Sequence, residues 1–536
     1  MFSLKRCVWG TWGDGFMYGL TEMLKSVAAS RPSAGSTRFG ARKRTWRETL
    51  DRVSRLAGAL HDMGVGRGDR VAILALNSDR YTEFFSAVWW AGAVVVPMNT
   101  RWTAVENAYS LEDSGASVLF VDQAFLPMVP AIQAAAPCLK HLVFCDDGAV
   151  PDGMESYEAL IEHHAPCADA EAGGDDLAGL YYTGGTTGFP KGVMVPHRAL
   201  WYNNMVACKA LNLEPDDVAL HVAPMFHMAD GCLGGGVSIA GALHTYIPRF
   251  DPEAAMETIE RHGVTHTIMV PTMVGLLLQH PNFSPERLGT LRVIGYGGSP
   301  IPRGTLAEAL RCLPHVGFVQ VYGQTEMAPI ISVMPTSYHV LEGPRAGKLA
   351  SAGRPAPGCD VRIVDETGAD VVPGQVGEIV ARSPGAMLGY WKLEDQTTAT
   401  LKDGWVHTGD GAYQDEDGFL FIVDRMKDMI VTGGENVFTA EVESAISTHP
   451  AVAEVAVIGI PSDRWGEEVH AILVLRSGHT ASEAEILAHC EPLIANYKRP
   501  RSVTFRTESL PLSGAGKILK RDLRAPFWEG RGRSVN

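Results

Sequence analysis

Residues Thr45–Asn99 read TWRETLDRVSRLAGALHDMGVGRGDRVAILALNSDRYTEFFSAVWWAGAVVVPMN, and two apolar spacings alternate along them. At the start, Val53 and Leu56 recur at the spacing of one helix face. The runs VAILAL at 71–76 and VVVPMN at 94–99 are short and apolar, as buried strands are, and a second helical pattern separates them. Helices that alternate with buried strands predict a parallel sheet with helices on its faces.

The same alternation returns at 257–326, where ETIERHGVTHTIMVPTMVGLLLQ, LRVIGYGG and VGFVQVYGQTE predict a second doubly wound sheet. Between 357 and 384, a period of two with Gly and Pro punctuation predicts short antiparallel strands. After Arg425, short helices alternate with strands, which predicts a small α+β unit.

We therefore expect an α/β fold with a large N-terminal domain, residues 1–426, of doubly wound sheets and a small β-barrel-like subdomain. A small mobile α+β C-terminal domain, residues 427–536, is expected to follow. The junction DRMKDMIVTGGEN at 424–436 is charged and contains glycines, which suits a hinge between the two domains.

The composition excludes several classes of protein. The 536 residues include 46 Lys and Arg against 61 Asp and Glu, a net charge of −15, which argues against nucleic acid or an anionic membrane as the main partner. The most apolar stretch, Ala87–Met98, is too short to span a bilayer, and the N-terminus has no apolar core typical of a secretory signal. The 9 cysteines are scattered without a C-x-x-C pair, as in a reduced compartment. We predict a cytoplasmic protein; a homodimer is left open.

The segment LYYTGGTTGFPKGVMVPH, Leu180–His197, is the first with chemical content. Glycines let backbone N–H groups converge, threonines add hydroxyl donors and Lys191 adds a positive charge, so the loop suits a polyphosphate. It is not a Walker loop, because Phe-Pro separates Gly188 from Lys191. A flexible surface loop is the alternative. The residues predicted to contact phosphate are Thr183, Gly184, Gly185, Thr186, Thr187, Gly188 and Lys191.

This segment resembles the phosphate loop of the adenylate-forming superfamily, which contains acyl-CoA synthetases, firefly luciferase and the adenylation domains of peptide synthetases. Five further stretches resemble the family in the same order, so the resemblance covers nearly the whole chain, most closely as a fatty-acyl-CoA synthetase. They are PMFHMAD (224–230), GYGGSP (295–300), VYGQTEMAP (321–329), GWVHTGDGAYQDEDGFLFIVDRMKDMIVTGGEN (404–436) and LPLSGAGKILKRDLR (510–524).

The resemblance implies a nucleotide site in the N-terminal domain. Tyr322 offers a ring for adenine stacking, Thr325 a hydroxyl for phosphate, and Glu326 and Thr183 oxygen ligands for Mg²⁺. For Glu326 the alternative is the first turn of a helix that Thr325 caps. The other nucleotide-binding residues that the resemblance implies are Gly297, Gly298, Ser299, Pro300, Gln320, Gly323, Asp410, Ile422 and Arg425. Among these, Asp410 and Arg425 are implied at the ribose, and a buried pair with a structural role only is their alternative.

Five further residues take their roles from the resemblance alone. Lys517 is implied as the catalytic lysine that bridges the substrate carboxylate and the α-phosphate; an ordinary basic tail is the alternative. Lys427 stands at the family's hinge position, and Gly433 and Gly434 are implied to face the pantetheine arm of coenzyme A. His227 is implied as a gate between the acyl pocket and the pantetheine tunnel, against a packed, hydrogen-bonded histidine.

The residues exclude two other kinds of site. His221 and His227 have no Cys or carboxylate cluster at metal-ligand spacing, and no G-x-S-x-G elbow of a serine hydrolase occurs. One residue departs from the family pattern, since Gly185 stands where many relatives have serine. Met17 could also be a truer start than Met1.

The activity implied is that of an ATP-dependent acid–CoA ligase, which forms acyl-AMP and then acyl-CoA with release of pyrophosphate and AMP. ATP, Mg²⁺ and coenzyme A follow as cofactors or co-substrates. The expected pocket segments 227–236, 296–299 and 327–331 are rich in small residues and contain no Lys or Arg, which favours a medium- or long-chain fatty acid. An aryl, arylpropenoic or steroid side-chain acid is the second choice. An acyl-AMP ligase that loads a carrier protein, a luciferase-like oxygenase and a non-catalytic nucleotide sensor remain as alternatives.

Overall fold

The structure, a computed structural model, describes residues 19–183, 190–426, 428–512 and 518–529. In these residues the α-helices are α1 (Leu20–Ser30), α2 (Trp46–Asp62), α3 (Asp79–Trp90), α4 (Ala104–Ser114), α5 (Val129–Ala135), α6 (Tyr157–His163), α7 (His197–Leu211), α8 (Met228–Ala240), α9 (Pro252–His262), α10 (Pro271–Leu278), α11 (Arg303–Cys312), α12 (Glu394–Thr400), α13 (Thr439–Ser447), α14 (Glu483–Cys490) and α15 (Lys520–Trp528).

The strands of the same residues, in chain order, are β1 (Gly35–Phe39), β2 (Arg42–Thr45), β3 (Arg70–Leu74), β4 (Val94–Pro97), β5 (Val118–Val121), β6 (His141–Phe144), β7 (Glu155–Ser156), β8 (Leu177–Thr183), β9 (Lys191–Pro196), β10 (Val218–His221), β11 (Leu243–Tyr246), β12 (His266–Met269), β13 (Val293–Gly297), β14 (Gly317–Gly323), β15 (Ile330–Met334), β16 (Arg354–Pro355), β17 (Asp360–Val364), β18 (Gly377–Arg382), β19 (Gly389–Tyr390), β20 (Leu401–Lys402), β21 (Trp405–Gln414), β22 (Leu420–Arg425), β23 (Ile430–Thr432), β24 (Glu435–Val437), β25 (Val452–Ser462), β26 (Gly466–Leu475) and β27 (Ser502–Arg506).

Local sequence explains where the first helices begin. Thr45 accepts a hydrogen bond from the Glu48 amide, and the Glu48 carboxylate accepts one from the Thr45 amide, so a capping box starts α2. The apolar face of α2 is fully buried at Val53, Leu56 and Leu60. The helix-strand alternation predicted from residues 45–99 is confirmed by α2, β3, α3 and β4.

Two large mixed sheets form most of the N-terminal region. One has the order β19-β9-β8-β4-β3-β5-β6-β7, with parallel pairing from β8 to β7 and antiparallel pairing of β8, β9 and β19. The other has the order β16-β15-β14-β13-β12-β10-β11-β1-β2 and is parallel from β14 through β1. In both sheets, helices connect successive parallel strands, as the alternating pattern predicts.

Two smaller sheets complete the fold. Strands β17, β18, β20, β21 and β22 pair antiparallel in one curled sheet, the half-barrel. Two of them, β17 and β18, confirm the short antiparallel strands predicted between 357 and 384. Strands β23, β24, β25, β26 and β27 form the C-terminal sheet, packed with α13 and α14 around Ile430, Val442 and Ile486. The predicted fold class is confirmed: α/β sheets, a β half-barrel subdomain and a small α+β domain. No helix in the described ranges is long and apolar enough to cross a membrane.

Candidate active site

The hairpin of β8 and β9 holds the ends of the predicted phosphate loop. Thr183, the last residue of β8, pairs with Lys191, the first residue of β9. The positions predicted to cradle phosphate between them, Gly184, Gly185, Thr186, Thr187 and Gly188, lie outside the described residues. The Lys191 ammonium lies 5.4 Å from the centre of the Tyr390 ring, so an aromatic face supports this positive charge.

Glu326 lies beside the same hairpin. The Tyr390 hydroxyl donates a hydrogen bond of 2.7 Å to Glu326 Oε1, and Tyr390 pairs with Val193 of β9. Burial, together with the nearby Glu326 carboxylate, raises the pKa of Tyr390, so its hydroxyl remains a donor. Lys191, Tyr390 and Glu326 therefore form one connected group of cation, ring and carboxylate.

Glu326 does not begin an α-helix. Residues Thr325–Met327 form a short 3₁₀ helix with Glu326 in its first turn, but its N-cap residue is Gln324, so the expected cap by Thr325 is wrong. The preceding Gly323 is tightly packed, since a Cβ added there would lie 1.6 Å from the Pro329 carbonyl oxygen. Pro329 has no N–H group to continue a helix, and its ring disfavours helical geometry in the residue before it.

The donors at this site suit a hard divalent cation shared with a phosphate. In the described ranges no group of three or more His, Cys, Asp or Glu side chains could hold a metal by itself. Glu326 supplies a carboxylate and Thr183 a hydroxyl, and Mg²⁺ is commonly bound by one or two such oxygens with substrate phosphates completing its shell. These two residues could therefore hold Mg²⁺ only together with a bound nucleotide.

Tyr322, near the end of β14, meets Asp410 and Arg425. The Tyr322 hydroxyl donates to Asp410 Oδ2 at 2.8 Å, and Arg425 Nε lies 2.6 Å from Asp410 Oδ1. Burial, and to a smaller extent the charge of Asp410, raises the pKa of Tyr322 well above its usual value. Burial alone would lower the pKa of Arg425, but the charges of Asp410 and its neighbours raise it, so the guanidinium stays charged.

Neighbouring strands of the half-barrel fix this trio. Asp410 and Arg425 are register partners in β21 and β22, and the Asp410 amide donates to Thr408 Oγ1 at 3.1 Å. Ile422, three residues before Arg425 in β22, and Tyr322 pack against the same apolar cluster of the half-barrel. Asp410 is 6% exposed, so its partners cover most of its surface.

The glycine pair after β13 allows close approach to the backbone. A Cβ at Gly297 would lie 2.3 Å from the Val321 carbonyl oxygen, and Gly298 has φ of +83°. Side chains larger than hydrogen are therefore excluded at Gly297 and strained at Gly298. Ser299 and Pro300 follow in the loop that leads to α11.

Gln320, in β14, lies beside two buried polar side chains, Tyr296 and His339. The Tyr296 hydroxyl lies 3.3 Å from Gln320 Oε1 and 2.9 Å from His339 Nε2. His339 Nδ1 lies 3.1 Å from the Pro335 carbonyl oxygen, which assigns the ring proton to Nδ1. Burial lowers the pKa of His339 to about 4, so the ring is neutral at neutral pH.

His227 is the N-cap residue of α8, and its Nδ1 accepts a hydrogen bond from the Ala229 amide at 3.2 Å. This contact agrees with the alternative of a packed, hydrogen-bonded histidine. It does not test the predicted gate, which stays a proposal. Asp230, in the first turn of α8, faces inward. Its Oδ2 lies 2.8 Å from His221 Nδ1, and the residue is 2% exposed. His221 Nε2 continues to His244 Nδ1 at 3.0 Å.

The remaining predicted residues belong to the C-terminal region. Gly433 and Gly434 form the turn between β23 and β24 with φ of +60° and +88°. The Gly433 amide donates to the Trp465 carbonyl oxygen at 2.9 Å, and a Cβ at Gly433 would lie 2.8 Å from the Trp465 ring. Lys427 and Lys517 lie outside the described residues.

Sequence reasoning missed two residues of the site. Tyr390, the partner of Glu326, stands in an apolar segment with no polar spacing to mark it. Thr408, which orients the Asp410 amide, looks like an ordinary strand threonine. Tyr390 acts on a residue 64 positions away in sequence and Thr408 on a backbone amide of its own strand, so residue type and spacing did not mark them.

Comparisons with known proteins point in one direction. The family model described as AMP-binding enzyme matches residues 24–391, and that described as AMP-binding enzyme C-terminal domain matches residues 441–517. The fatty acid–[acyl-carrier-protein] ligase ScoC of Streptomyces coeruleorubidus is 36% identical over 521 residues, 96% of this chain and 98% of that protein. A feruloyl-CoA synthase of Amycolatopsis sp is 40% identical over 507 residues, 93% of this chain and 97% of that protein.

Solved structures agree with those matches. ATP-bound MatB from Rhodopseudomonas palustris is 30% identical, with a TM-score of 0.86 over 96% of this chain and 99% of that chain. The apo structure of the same protein gives a TM-score of 0.77 at the same identity and coverage. The described chain is therefore nearer in overall arrangement to the ATP-bound structure.

Proposed function

The chain belongs to the family of AMP-binding enzymes, AMP-forming acid–thiol ligases, and we propose that it joins a medium- or long-chain fatty acid to coenzyme A. The observation that carries the proposal is a pair of side-chain groups at the C-terminal end of β14. Tyr322, Asp410 and Arg425 offer donors and acceptors for a nucleoside, while Lys191 and Glu326 stand beside the predicted phosphate loop.

The proposed first step activates the acid. A carboxylate oxygen attacks the α-phosphorus of ATP, the bond to pyrophosphate breaks, and acyl-AMP forms. We assign Asp410 to the ribose hydroxyls and Tyr322 to the adenine ring, beside Gly297, Gly298, Ser299 and Pro300. Thr183, the loop 184–188, Thr325, Lys191 and Lys517 would bind the phosphates, whose charge grows in the transition state. Mg²⁺ held by Glu326 and Thr183 would neutralise phosphate charge.

In the proposed second step, the thiol of coenzyme A attacks the acyl carbon, AMP leaves and the thiol proton is released. We place the domain boundary between 426 and 427, after β22 ends at Arg425 and before β23 begins at Ile430. Rotation about Lys427 would withdraw Lys517 and bring Gly433 and Gly434 to the pantetheine arm, with His227 as the gate. Each step then has its own set of residues.

The fatty-acid assignment depends on the first part of α8. Gly231 is exposed, and a Cβ added there meets only Met228 Sδ at 3.9 Å, so space remains beside the helix. Asp230 is turned inward onto His221, which removes the one carboxylate in this segment that could bind a substrate amine. An uncharged wall with open space favours an acyl chain over an amino acid or a dicarboxylate.

Two alternatives have support from relatives. The feruloyl-CoA synthase favours an arylpropenoic acid, and ScoC, named as a ligase for an acyl-carrier protein, favours a carrier protein as the acceptor. We also propose a cytoplasmic enzyme, with a homodimer as the oligomer to test. Cell fractionation and light scattering of the purified protein measure these two properties.

The test is a substrate panel. The purified protein is incubated with ATP, Mg²⁺ and coenzyme A against fatty, arylpropenoic and steroid side-chain acids, and AMP, ADP and acyl-CoA are measured by mass spectrometry. We expect AMP and a thioester with decanoic to palmitic acid. A preference for ferulic acid would replace the fatty-acid assignment. Acyl-AMP without thioester would indicate a carrier protein, and ADP would contradict the proposed reaction.

A further inference from the structure

Four polar residues connect the end of β22 with two C-terminal helices. Asp424 Oδ2 accepts hydrogen bonds of 2.6 Å from both the amide and the hydroxyl of Thr439. Lys520 Nζ lies 2.7 Å from Glu443 Oε1 and also donates to Thr439 Oγ1. We call these four residues, Asp424, Thr439, Glu443 and Lys520, the clasp.

The clasp is held by hydrogen bonds and an ion pair, and two of its four residues are buried. Thr439 is fully buried, Asp424 is 9% exposed, and Glu443 Oε1 also accepts from the Val457 amide at 2.8 Å. Burial opposes a charged amine, but the carboxylates of Glu443 and Asp424 raise the pKa of Lys520, so its ammonium is kept. Charge-assisted hydrogen bonds in such surroundings are among the stronger ones in proteins.

The contact between Asp424 and Thr439 crosses the proposed hinge. Helix α13 begins at Thr439 without a side-chain cap from its own N-cap residue, Phe438. The Asp424 carboxylate, which precedes position 427, supplies that acceptor and also faces the positive end of the helix dipole. A rotation of residues after 427 relative to β22 must therefore lengthen this contact.

We propose that the clasp holds the C-terminal domain in the arrangement that forms acyl-AMP and opens for thioester formation. The inference rests on the proposed two-step function. It is supported by the nearer match of the chain to ATP-bound than to apo MatB, TM-scores of 0.86 and 0.77. It adds a role to Asp424, the neighbour of Arg425, which lies in the proposed ribose site.

Lys520 is a positioning residue in this scheme. It begins α15, three positions after Lys517 in the sequence, and the nearby Ile518 pairs with Leu512. Its ion pair with Glu443 fixes the start of α15 against α13, and Thr439 joins α13 to β22 through Asp424. The clasp thus connects the segment that carries the proposed catalytic lysine to the strand that carries Arg425.

The test separates the two half-reactions in Asp424→Asn and Thr439→Val. We expect acyl-AMP formation in a single turnover to fall by roughly tenfold, the effect of losing one charged hydrogen bond. Thioester formation from supplied acyl-AMP and coenzyme A should be unchanged or faster. Lys498→Gln is the matched control, because Lys498 pairs with Glu441 of the same helix at 2.8 Å but on the surface, so both half-reactions should be retained.

A second measurement does not depend on turnover. Hydrogen exchange of peptides that cover the start of α13 should be slowed by ATP in the unmodified protein and less so in Asp424→Asn, with Lys498→Gln unaltered. An equal loss of both half-reactions, or no change in either, would overturn the clasp. If no acid supports acyl-AMP formation, the proposed function fails. The clasp is overturned separately if ATP slows hydrogen exchange at the start of α13 equally in Asp424→Asn and in the unmodified protein.

Discussion

Asp410→Asn is the sharpest single test of the nucleotide site. The substitution keeps the shape of a side chain that is 8% exposed and removes the charge that meets Arg425 Nε at 2.6 Å and the Tyr322 hydroxyl at 2.8 Å. If Asp410 binds both ribose hydroxyls, two hydrogen bonds to a charged acceptor become neutral ones. Each loses about 1 kcal/mol, so ATP should bind with a loss of about 2 kcal/mol, roughly 30-fold in Kd.

The assay is isothermal titration of ATP, 2′-deoxy-ATP and 3′-deoxy-ATP into both proteins. The unmodified enzyme should favour ATP over either deoxynucleotide by about fivefold or more, since each analogue lacks one hydrogen bond to the carboxylate. Asp410→Asn should reduce this discrimination as well as the affinity. A merely structural ion pair would weaken all three nucleotides equally.

Asp370→Asn is the matched control. Its carboxylate Oδ1 lies 2.6 Å from Arg362 Nε, the same pair of atoms at the same separation, on the exposed side of the half-barrel. This control should bind ATP as the unmodified protein does. An ATP Kd for Asp410→Asn within about threefold of the unmodified value, or unchanged discrimination, would refute the ribose assignment.

Lys517→Ala should slow acyl-AMP formation by on the order of 10²-fold while thioester formation from supplied acyl-AMP survives, measured by rapid quench; equal losses in a folded variant would contradict its role. Lys427→Pro should trap one domain arrangement and spare one half-reaction, and an unchanged overall rate would count against rotation at this position. The pKa of His339 is about 4 against an ordinary 6.5, so the unfolded chain binds the proton first, and the free energy of unfolding should fall by up to about 3 kcal/mol between pH 6.5 and 4. Denaturant titrations of His339→Gln should show a flatter dependence over that window, and a slope equal to that of the unmodified protein would show that the ring does not titrate there.

Periodicity located the elements that bury one continuous face. Helix α2 and strand β3 follow from residues 45–76 because a capping box, an apolar stripe and a buried run all specify the same structure. The turn at Thr325 shows the limit of that reasoning. Its residues look like the start of a helix, but the close approach of Gly323 to Pro329 decides the conformation, and that contact is not visible in local propensity.

The candidate site also combines residues that the sequence could mark with contacts that it could not. The glycine- and threonine-rich loop and the motif around Tyr322 could be marked from residue types and their resemblance to a family. The contacts that orient them join distant positions: Tyr390 reaches Glu326 and Tyr322 reaches Asp410 across separate strands. The bond between Asp424 and Thr439 likewise depends on how β22 and α13 pack, and no pattern within either segment predicts it.

The central claim is that the acid is activated as an adenylate. Incubation of the enzyme with a preferred acid labelled with ¹⁸O in its carboxylate, ATP, Mg²⁺ and coenzyme A tests it directly, with the products read by mass spectrometry. The account predicts one labelled oxygen in the phosphate of AMP, because acyl transfer breaks the bond between the acyl carbon and that oxygen. Label in inorganic phosphate with ADP as the co-product would contradict it, since that result requires an acyl phosphate.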